Sequence, residues 1–266
     1  MDRGRWCVSP PNEKDRLKRK RILARARPAE ASGDDLWDAG DWLANGWGGP
    51  VRLKQAAEFY KRAVDLGVVS AMVSLGVMYH EGRGVRRNDR EAVRLYRRAA
   101  KFGNERAMYN LALCCYYGHG APKSVTAARR WFMRAAANGH LRSFLWIAEM
   151  FERGEGCRKS VRRAFEWNMK GARAGNADCM TNVAVEFHNG KFVPQDRKQA
   201  RAWYARAAKL GDAHAMHNLG LNYLKGEGVR ASRSKARAYF QRAAEMGSRS
   251  AIARLRRPTL RLASGE

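Results

Sequence analysis

The sequence predicts an all-α fold, an α/α superhelical solenoid of six 36-residue helix-turn-helix repeats with a C-terminal capping helix. Two observations support this prediction. Glycine recurs at a fixed spacing of 36 residues, at Gly67, Gly103, Gly139, Gly175, Gly211 and Gly247. Each interval also contains two segments whose apolar residues recur at helical spacing. Self-similarity at this period is typical of stacked helical hairpins, which bury their apolar faces against their neighbours.

The repeats follow one another without an insertion and divide the chain into three regions. Residues 1–31 form a basic leader that we expect to be disordered, and residues 258–266 form a short tail. Between them lie the repeat units 32–67, 68–103, 104–139, 140–175, 176–211 and 212–247, followed by a partial unit over 248–257. Positions within a unit are numbered here from 1 to 36.

The first helix of each unit packs through positions 4, 8 and 12. In the last full unit these are Ala215, Leu219 and Tyr223, and a spacing of four places them on one face of a helix. Position 9 is always glycine or alanine, which lets another helix approach closely. Position 15 is glycine in every unit and is expected to end this helix in the left-handed conformation.

The second helix repeats this logic at positions 25, 28, 29, 32 and 33. Aromatic residues alternate there with alanines, and the tryptophans at position 28 are expected to be core residues: Trp131, Trp167 and Trp203. Position 21 supplies side chains that can accept a backbone N–H bond at the start of this helix: Asn88, Ser124, Ser160, Asp196 and Ser232. The glycine at position 36 is expected to end it.

The consensus small-x-x-x-L-G-x-x-Y-x-x-G-x-G-V, followed by K-A-x-x-W-Y-x-K/R-A-A-x-x-G, resembles the Sel-1-like repeat, a relative of the tetratricopeptide repeat. The best match is LGLNYLKGEGVRASRSKARAYFQRAAEMG, from Leu219 to Gly247, and the resemblance covers residues 32–257. The fourth unit departs most, because Asn168 replaces an aromatic residue and Gly171 an alanine, and looser local packing is expected there. The resemblance implies an α/α superhelix that serves as a protein-binding scaffold.

Composition limits the cellular setting. The five cysteines follow no regular pairing, so the disulfide-stapled branch of that family is set aside. No uninterrupted apolar run approaches the ~18 residues of a membrane span, and no apolar segment typical of a secretion signal follows the start. We expect an intracellular protein, cytoplasmic or nuclear and not secreted.

No motif indicates catalysis. His214 and His217 are spaced to share a metal ion, but only Asp212 lies nearby as a third ligand, and no HExxH pattern is present. The G-x-G loops lie between helices rather than after strands, so they are interpreted as turns and not as phosphate-binding loops. We therefore expect no enzymatic activity, no metal and no cofactor.

Positions 3, 6, 7, 10 and 14 of the first helices are the candidate contacts for a partner. They face away from the packed stripe, and first helices line the concave surface of such a superhelix. Asparagine can hold an extended peptide backbone by paired hydrogen bonds, and variable neighbours would give selectivity. The candidates are Tyr109, Asn110, Trp146, Thr181, Asn182, His217 and Asn218. The expected partner is a protein or peptide, and the charge of the chain favours an acidic one.

The net positive charge of the chain indicates an alternative function, binding of a nucleic-acid backbone. Lys and Arg number 52 against 25 Asp and Glu, a net charge of +27, which favours polyanions. The excess lies in the leader and at the loops and starts of second helices, and the candidate contacts are Lys18, Arg19, Lys20, Arg21, Arg86, Arg87, Arg90, Arg129, Arg130, Arg162 and Arg163. Without interleaved aromatic residues, they would bind nucleic acid through its backbone and nonspecifically. For the leader, an import signal, a nucleic-acid arm and an inert solvated tail all remain open.

The first unit carries three tryptophans, Trp37, Trp42 and Trp47, among acidic residues. This segment is interpreted in two ways. Terminal repeats are commonly modified to cover the open end of a stack. Alternatively, exposed tryptophans are typical anchors of an interface and would form a docking patch.

Overall fold

The computed structural model describes residues 13–27 and 29–256, and within them it contains fourteen helices and no strand. The helices are α1 Glu13–Arg25, α2 Gly33–Asn45, α3 Leu53–Asp65, α4 Val69–Glu81, α5 Asp89–Lys101, α6 Glu105–Tyr117, α7 Val125–Ala137, α8 Leu141–Arg153, α9 Val161–Ala174, α10 Ala177–Asn189, α11 Arg197–Lys209, α12 Ala213–Lys225, α13 Arg233–Glu245 and α14 Arg249–Leu255. From α2 onward, each helix begins 36 residues after its equivalent in the preceding unit. The predicted all-α repeat fold is confirmed. The even-numbered helices α2 to α12 are the first helices, and the odd-numbered helices α3 to α13 are the second helices.

The helices form two compact bodies, Met1–Asn138 and Gly139–Glu266. The first body contains α1 to α7, and the second contains α8 to α14. Within each body every helix packs against the next one in the chain, and α8 also contacts α10. Each body is therefore a stack of helical hairpins, as expected for an α-solenoid.

Five of the six hairpin cores pair a first-helix stripe with one buried aromatic side chain at position 29 of the second helix. In the second body, Leu219 of α12 is 1% exposed and Phe240 of α13 is completely buried. Small residues at position 9 make this pairing possible. A Cβ atom added to Gly220 would lie 2.7 Å from the ring of Phe240, and one added to Gly76 would lie 2.5 Å from the ring of Tyr96. The predicted close approach at position 9 is confirmed.

Capping groups fix the helix boundaries. The five predicted side chains at position 21 each accept a backbone N–H bond at the start of a second helix. Position 1 caps most of the first helices in the same way, through the side chains of Ser32, Asn104, Asn176 and Asp212. The glycines at position 15 end the first helices with φ between 66° and 82°, a left-handed conformation that side chains rarely adopt.

The expected disorder of residues 1–31 is wrong over α1. This helix contacts α2, and Ile22 within it and Ala26 just after it are 9% and 0% exposed. Arg25 forms an ion pair with Asp35 of α2, and Nζ of Lys18 lies 5.2 Å from the ring centroid of Trp42. The many basic residues of this segment suggested a solvated tail, but they accompany a helix with a narrow apolar strip. Its basic side chains pair with acidic and aromatic side chains of the first hairpin. Residues 1–12 and 257–266, with the tail, lie outside the described residues.

Candidate partner-binding surface

Two cavities lie between consecutive first helices, one in each body, at the same position of the repeat. In the first body, a cavity of about 150 Å³ is lined by Asn110 and Leu113 of α6 and by Tyr96 of α5. In the second body, another cavity of about 150 Å³ is lined by Asn182 of α10 and Asn168 of α9, among others. Position 7 of a first helix is asparagine in both. Two of the predicted partner-binding residues, Asn110 and Asn182, therefore line surface cavities.

The cavity of the first body is bordered by a cluster of aromatic and ionisable side chains. Nδ1 of His80 lies 2.7 Å from Oδ1 of Asp89. The ring of His119 lies 5.4 Å from that of His80 and stacks at 5.7 Å on the ring of Tyr117. Tyr117 is 53% exposed, so an aromatic rim surrounds a pocket into which Asn110 projects.

Most of the predicted contacts of the first helices lie at least partly at the surface. Tyr109 and Asn110 in the first body are half-buried, and the ring of Tyr109 lies 5.6 Å from that of Phe132. In the second body, half-buried side chains are found at Trp146, Asn182, His217 and Asn218. In the second body these positions lie on three different first helices, α8, α10 and α12.

Thr181 differs from this expectation because it is buried, with 8% of its surface exposed. Its hydroxyl oxygen has no hydrogen-bond partner among the described residues. The reason is size, because the larger His217 at the same position of the next unit reaches the surface. The ring of His217 lies 5.3 Å from that of Phe240, and burial lowers the pKa of this imidazole, with Arg254 and His214 adding to the effect.

Among the predicted basic contacts of the leader, Arg19 is corrected by the structure. Lys18, Lys20 and Arg21 are exposed, whereas Arg19 is 7% exposed. Its guanidinium donates hydrogen bonds to the carbonyl oxygens of Trp47 at 3.4 Å and Pro50 at 2.9 Å. A guanidinium held by backbone carbonyls anchors α1 on the first hairpin and is not available to a polyanion. Burial, with a contribution from the nearby Arg52, lowers the pKa of Arg19.

The basic contacts predicted in the repeats lie mostly at the surface. Exposed side chains are found at Arg86, Arg87, Arg90, Arg130, Arg162 and Arg163, and Arg129 is half-buried. Some of these charges are already paired: Arg87 lies 2.8 Å from Asp89, and Arg162 lies 3.0 Å from Glu166.

In the first body, a cleft of about 650 Å³ has Lys54, Lys61, Arg86 and Arg87 in its lining. Glu58 also lines this cleft and pairs with Lys61 at 2.8 Å. The cleft is therefore predominantly positive.

Cation–π pairs along the second helices were missed by sequence reasoning. A basic residue at position 31 lies over the aromatic ring at position 28, and the pairs are Arg134 over Trp131 at 4.9 Å, Lys170 over Trp167 at 4.4 Å and Arg206 over Trp203 at 4.7 Å. These tryptophans are half-buried and not fully enclosed as expected of core residues, and Trp203 packs against the edge of the core of the second body. Residues three apart are neighbours on a helix surface, and that spacing was the signal that could have predicted these pairs.

The described residues contain neither a candidate metal site nor a disulfide. No group of three or more ligating side chains lies close enough there to hold a metal ion. Cys114, Cys115, Cys157 and Cys179 are free thiols, and burial raises the pKa of Cys114 and of Cys179 to about 12. No helix in the described part of the chain is long and apolar enough to cross a membrane.

Comparison with known proteins identifies the repeat. The sequence profile of the Sel1 repeat matches six consecutive segments, over residues 36–68, 69–104, 105–140, 145–176, 177–212 and 213–248. These segments coincide with the six helical pairs to within a few residues. A search of curated protein sequences gave no match.

Solved structures show the same architecture. A Sel1 repeat protein from Oxalobacter formigenes is 28% identical, with a TM-score of 0.78 over 86% of this chain and 95% of that protein. The protective antigen c5321 of uropathogenic Escherichia coli, described as displaying an SLR fold, is 29% identical, with a TM-score of 0.73 over 84% of this chain and 48% of that protein. An immunity protein of Pseudomonas aeruginosa, Pa5087, is 17% identical, with a TM-score of 0.52 over 92% of each chain, and shares the fold alone.

Proposed function

We propose that this chain, which belongs to the Sel1 repeat family, is a non-enzymatic scaffold that binds a protein or peptide segment along its first helices. Sel1 repeat proteins generally mediate protein–protein interactions. The binding surface is proposed from one observation: in both bodies a cavity lies between consecutive first helices, and an asparagine at position 7 lines each cavity. A side-chain amide beside a cavity can pair with a peptide backbone while a partner side chain fills the opening.

Selection from a random peptide library displayed on phage tests this proposal with the full chain as the target. Enriched peptides are then measured by fluorescence anisotropy on the wild type and on a double variant, Asn110→Ala with Asn182→Ala. Loss of two backbone-pairing amides is expected to weaken binding at least about tenfold. The matched control is Gln241→Ala, which removes an exposed amide from the second helix α13 and should leave binding unchanged.

Two results would contradict the scaffold proposal. Failure of any peptide to be enriched over repeated rounds would argue against a peptide-binding surface. Equal binding by wild type and double variant, with unchanged melting temperatures, would place the binding surface elsewhere.

A second candidate function is nonspecific binding of a nucleic-acid backbone. It is favoured by the cleft of the first body that is lined by Lys54, Lys61, Arg86 and Arg87. Ammonium and guanidinium groups that line a cleft together can neutralise phosphates without recognising bases. Its test is the salt dependence of oligonucleotide binding.

A further inference from the structure

The cavity of the second body has a polar side chain at the place where the matching cavity of the first body has the ring of Tyr96. Position 29 of the second helix carries a buried ring in five of the six repeats: Tyr60, Tyr96, Phe132, Tyr204 and Phe240. The fourth repeat has Asn168 there, 9% exposed. The cavity of about 150 Å³ between α8, α9 and α10 opens beside this shorter side chain. It is called the Asn168 cavity below.

One polar group of the Asn168 cavity has no partner. Nδ2 of Asn182 donates a hydrogen bond to Oδ1 of Asn168 at 3.3 Å, so these two amides orient each other. Oε2 of Glu186, which also lines the cavity, is buried and accepts no hydrogen bond from any described residue. A buried oxygen left without a hydrogen-bond donor is unfavourable. The cavity therefore presents an acceptor that a bound donor would satisfy.

The charge of the Asn168 cavity is opposite to that of the chain. Two carboxylates, Glu152 and Glu186, contribute to its lining, and no lysine or arginine does. Arg153 on the same helix as Glu152 is directed elsewhere, with its guanidinium 3.8 Å from Glu149 and 3.8 Å from Glu155. In a protein of net charge +27, this cavity is locally acidic.

The remaining walls are apolar and suit a hydrocarbon chain. Val161, Ala164 and Phe165 of α9 and Val185 of α10 line the cavity. Its volume of about 150 Å³ holds roughly five groups of the size of water, at about 30 Å³ each. The methylenes and ammonium of a lysine side chain fill such a space, with the stem against the apolar wall and the charged end at the carboxylates.

We propose that the Asn168 cavity binds a lysine side chain of the segment that docks on the first helices of the second body. The ammonium donates to Oε2 of Glu186, Glu152 contributes a second negative charge, and the stem lies against the apolar side chains of α9 and α10. The docking of a segment rests on the proposed scaffold function, whereas recognition of the lysine side chain is a property of the cavity alone.

Nuclear magnetic resonance titration of the ¹⁵N-labelled full chain tests the cavity directly. The probe is Nα-acetyl-lysine methylamide, compared with its Nε-acetylated analogue and with the uncharged norleucine analogue. The lysine probe is expected to shift the side-chain amide signals of Asn168 and Asn182, assigned from their substitutions. Both uncharged analogues should bind at least about tenfold more weakly, because they bring no charge to the carboxylates.

Two variants and one control complete the design. Glu186→Gln keeps the shape and removes the charge, and should weaken binding of the lysine probe about tenfold or more. Asn168→Phe introduces the ring of the other repeats, removes the amide that orients Asn182, and should also weaken binding of the lysine probe. Glu245→Gln, an exposed substitution on α13, should have no effect. If Asn168→Phe fails to fold, as judged by circular dichroism, Glu186→Gln decides alone.

The outcomes separate the two proposals. Equal affinity for lysine and norleucine probes, or no effect of Glu186→Gln, overturns the lysine site. If library peptides bind the first helices but need no lysine and ignore Glu186→Gln, the scaffold holds and the lysine site is rejected. If the lysine probe binds as expected while the library yields no peptide, the cavity is upheld and the scaffold proposal fails.

Discussion

Leu219 lies at position 8 of α12 with 1% of its surface exposed, within a cluster that includes Ala215 and Phe240. Replacing it by alanine removes the terminal carbons of the side chain, at about 0.8 kcal/mol for each buried carbon. The unfilled space adds a cavity contribution, so the loss should be about 3 kcal/mol, within the range of about 2–5 kcal/mol for such changes. Leu219→Asp should lose more, because it also buries a carboxylate without a partner.

Thermal unfolding followed by far-ultraviolet circular dichroism measures this effect. A loss of about 3 kcal/mol in a chain of this size corresponds to a fall in melting temperature of roughly 6–12 °C for Leu219→Ala. Leu210→Ala is the matched control, because Leu210 is 58% exposed and its truncation should change stability by less than about 0.5 kcal/mol. Hydrogen exchange should locate the loss in α12 and α13, since stability in repeat proteins is local. An unchanged melting temperature for Leu219→Asp would refute the conclusion that position 8 is packed.

Three further predictions follow from the leader, the thiols and the charge. Arg19→Ala should accelerate hydrogen exchange throughout α1, because it removes two hydrogen bonds to carbonyls of the first hairpin, whereas the exposed Lys20→Ala should not; equal exchange rates in both variants would show that α1 is held otherwise. In alkylation at pH 8 with mapping by mass spectrometry, Cys157 should react before Cys114 and Cys179, whose pKa values are raised by burial to about 12; faster reaction at either buried thiol would contradict their burial. Binding to a mixed-sequence oligonucleotide should weaken by orders of magnitude between about 50 and 200 mM salt; binding that persists at high salt would exclude a purely electrostatic contact.

The repeat fold was predictable because its signals recur. The 36-residue period, the capping side chains and the turn glycines each occur several times, so the prediction does not rest on any single position. Each hairpin is stabilised by contacts with its immediate neighbours alone, so the same local signals specify every unit. The helix α1 occurs once, outside the period, and its apolar strip is interrupted by Arg19. From the sequence alone, a buried arginine cannot be distinguished from an exposed one. The burial of Arg19 is explained only by the structure, in which its guanidinium donates to the carbonyl oxygens of Trp47 and Pro50.

The candidate surface was predictable in position but not in shape. Asn110 and Asn182 were expected at the surface of the first helices, and both line cavities. The cavities themselves depend on residues contributed by the second helices and by the neighbouring first helix. Side-chain size also decides exposure at a given position, which is why Thr181 is buried while His217 reaches the surface.

The two departures of the fourth repeat, Asn168 and Gly171, show why local packing could not be predicted from the sequence alone. Gly171 replaces alanine without loosening the packing, because a Cβ atom there would lie 2.6 Å from the sulfur of Cys179. Cys179 occupies a position that holds alanine in several other repeats, so a smaller residue on α9 offsets a larger one on α10. The amide of Asn168 accepts a hydrogen bond from Asn182, and Oε2 of Glu186 in the same cavity remains unpaired among the described residues. A cavity of the same volume lies beside Tyr96 in the first body, so the opening itself does not depend on the substitution. The carboxylates of Glu152 and Glu186 are what distinguishes the cavity of the fourth repeat, and they are the reason to expect a cationic group there.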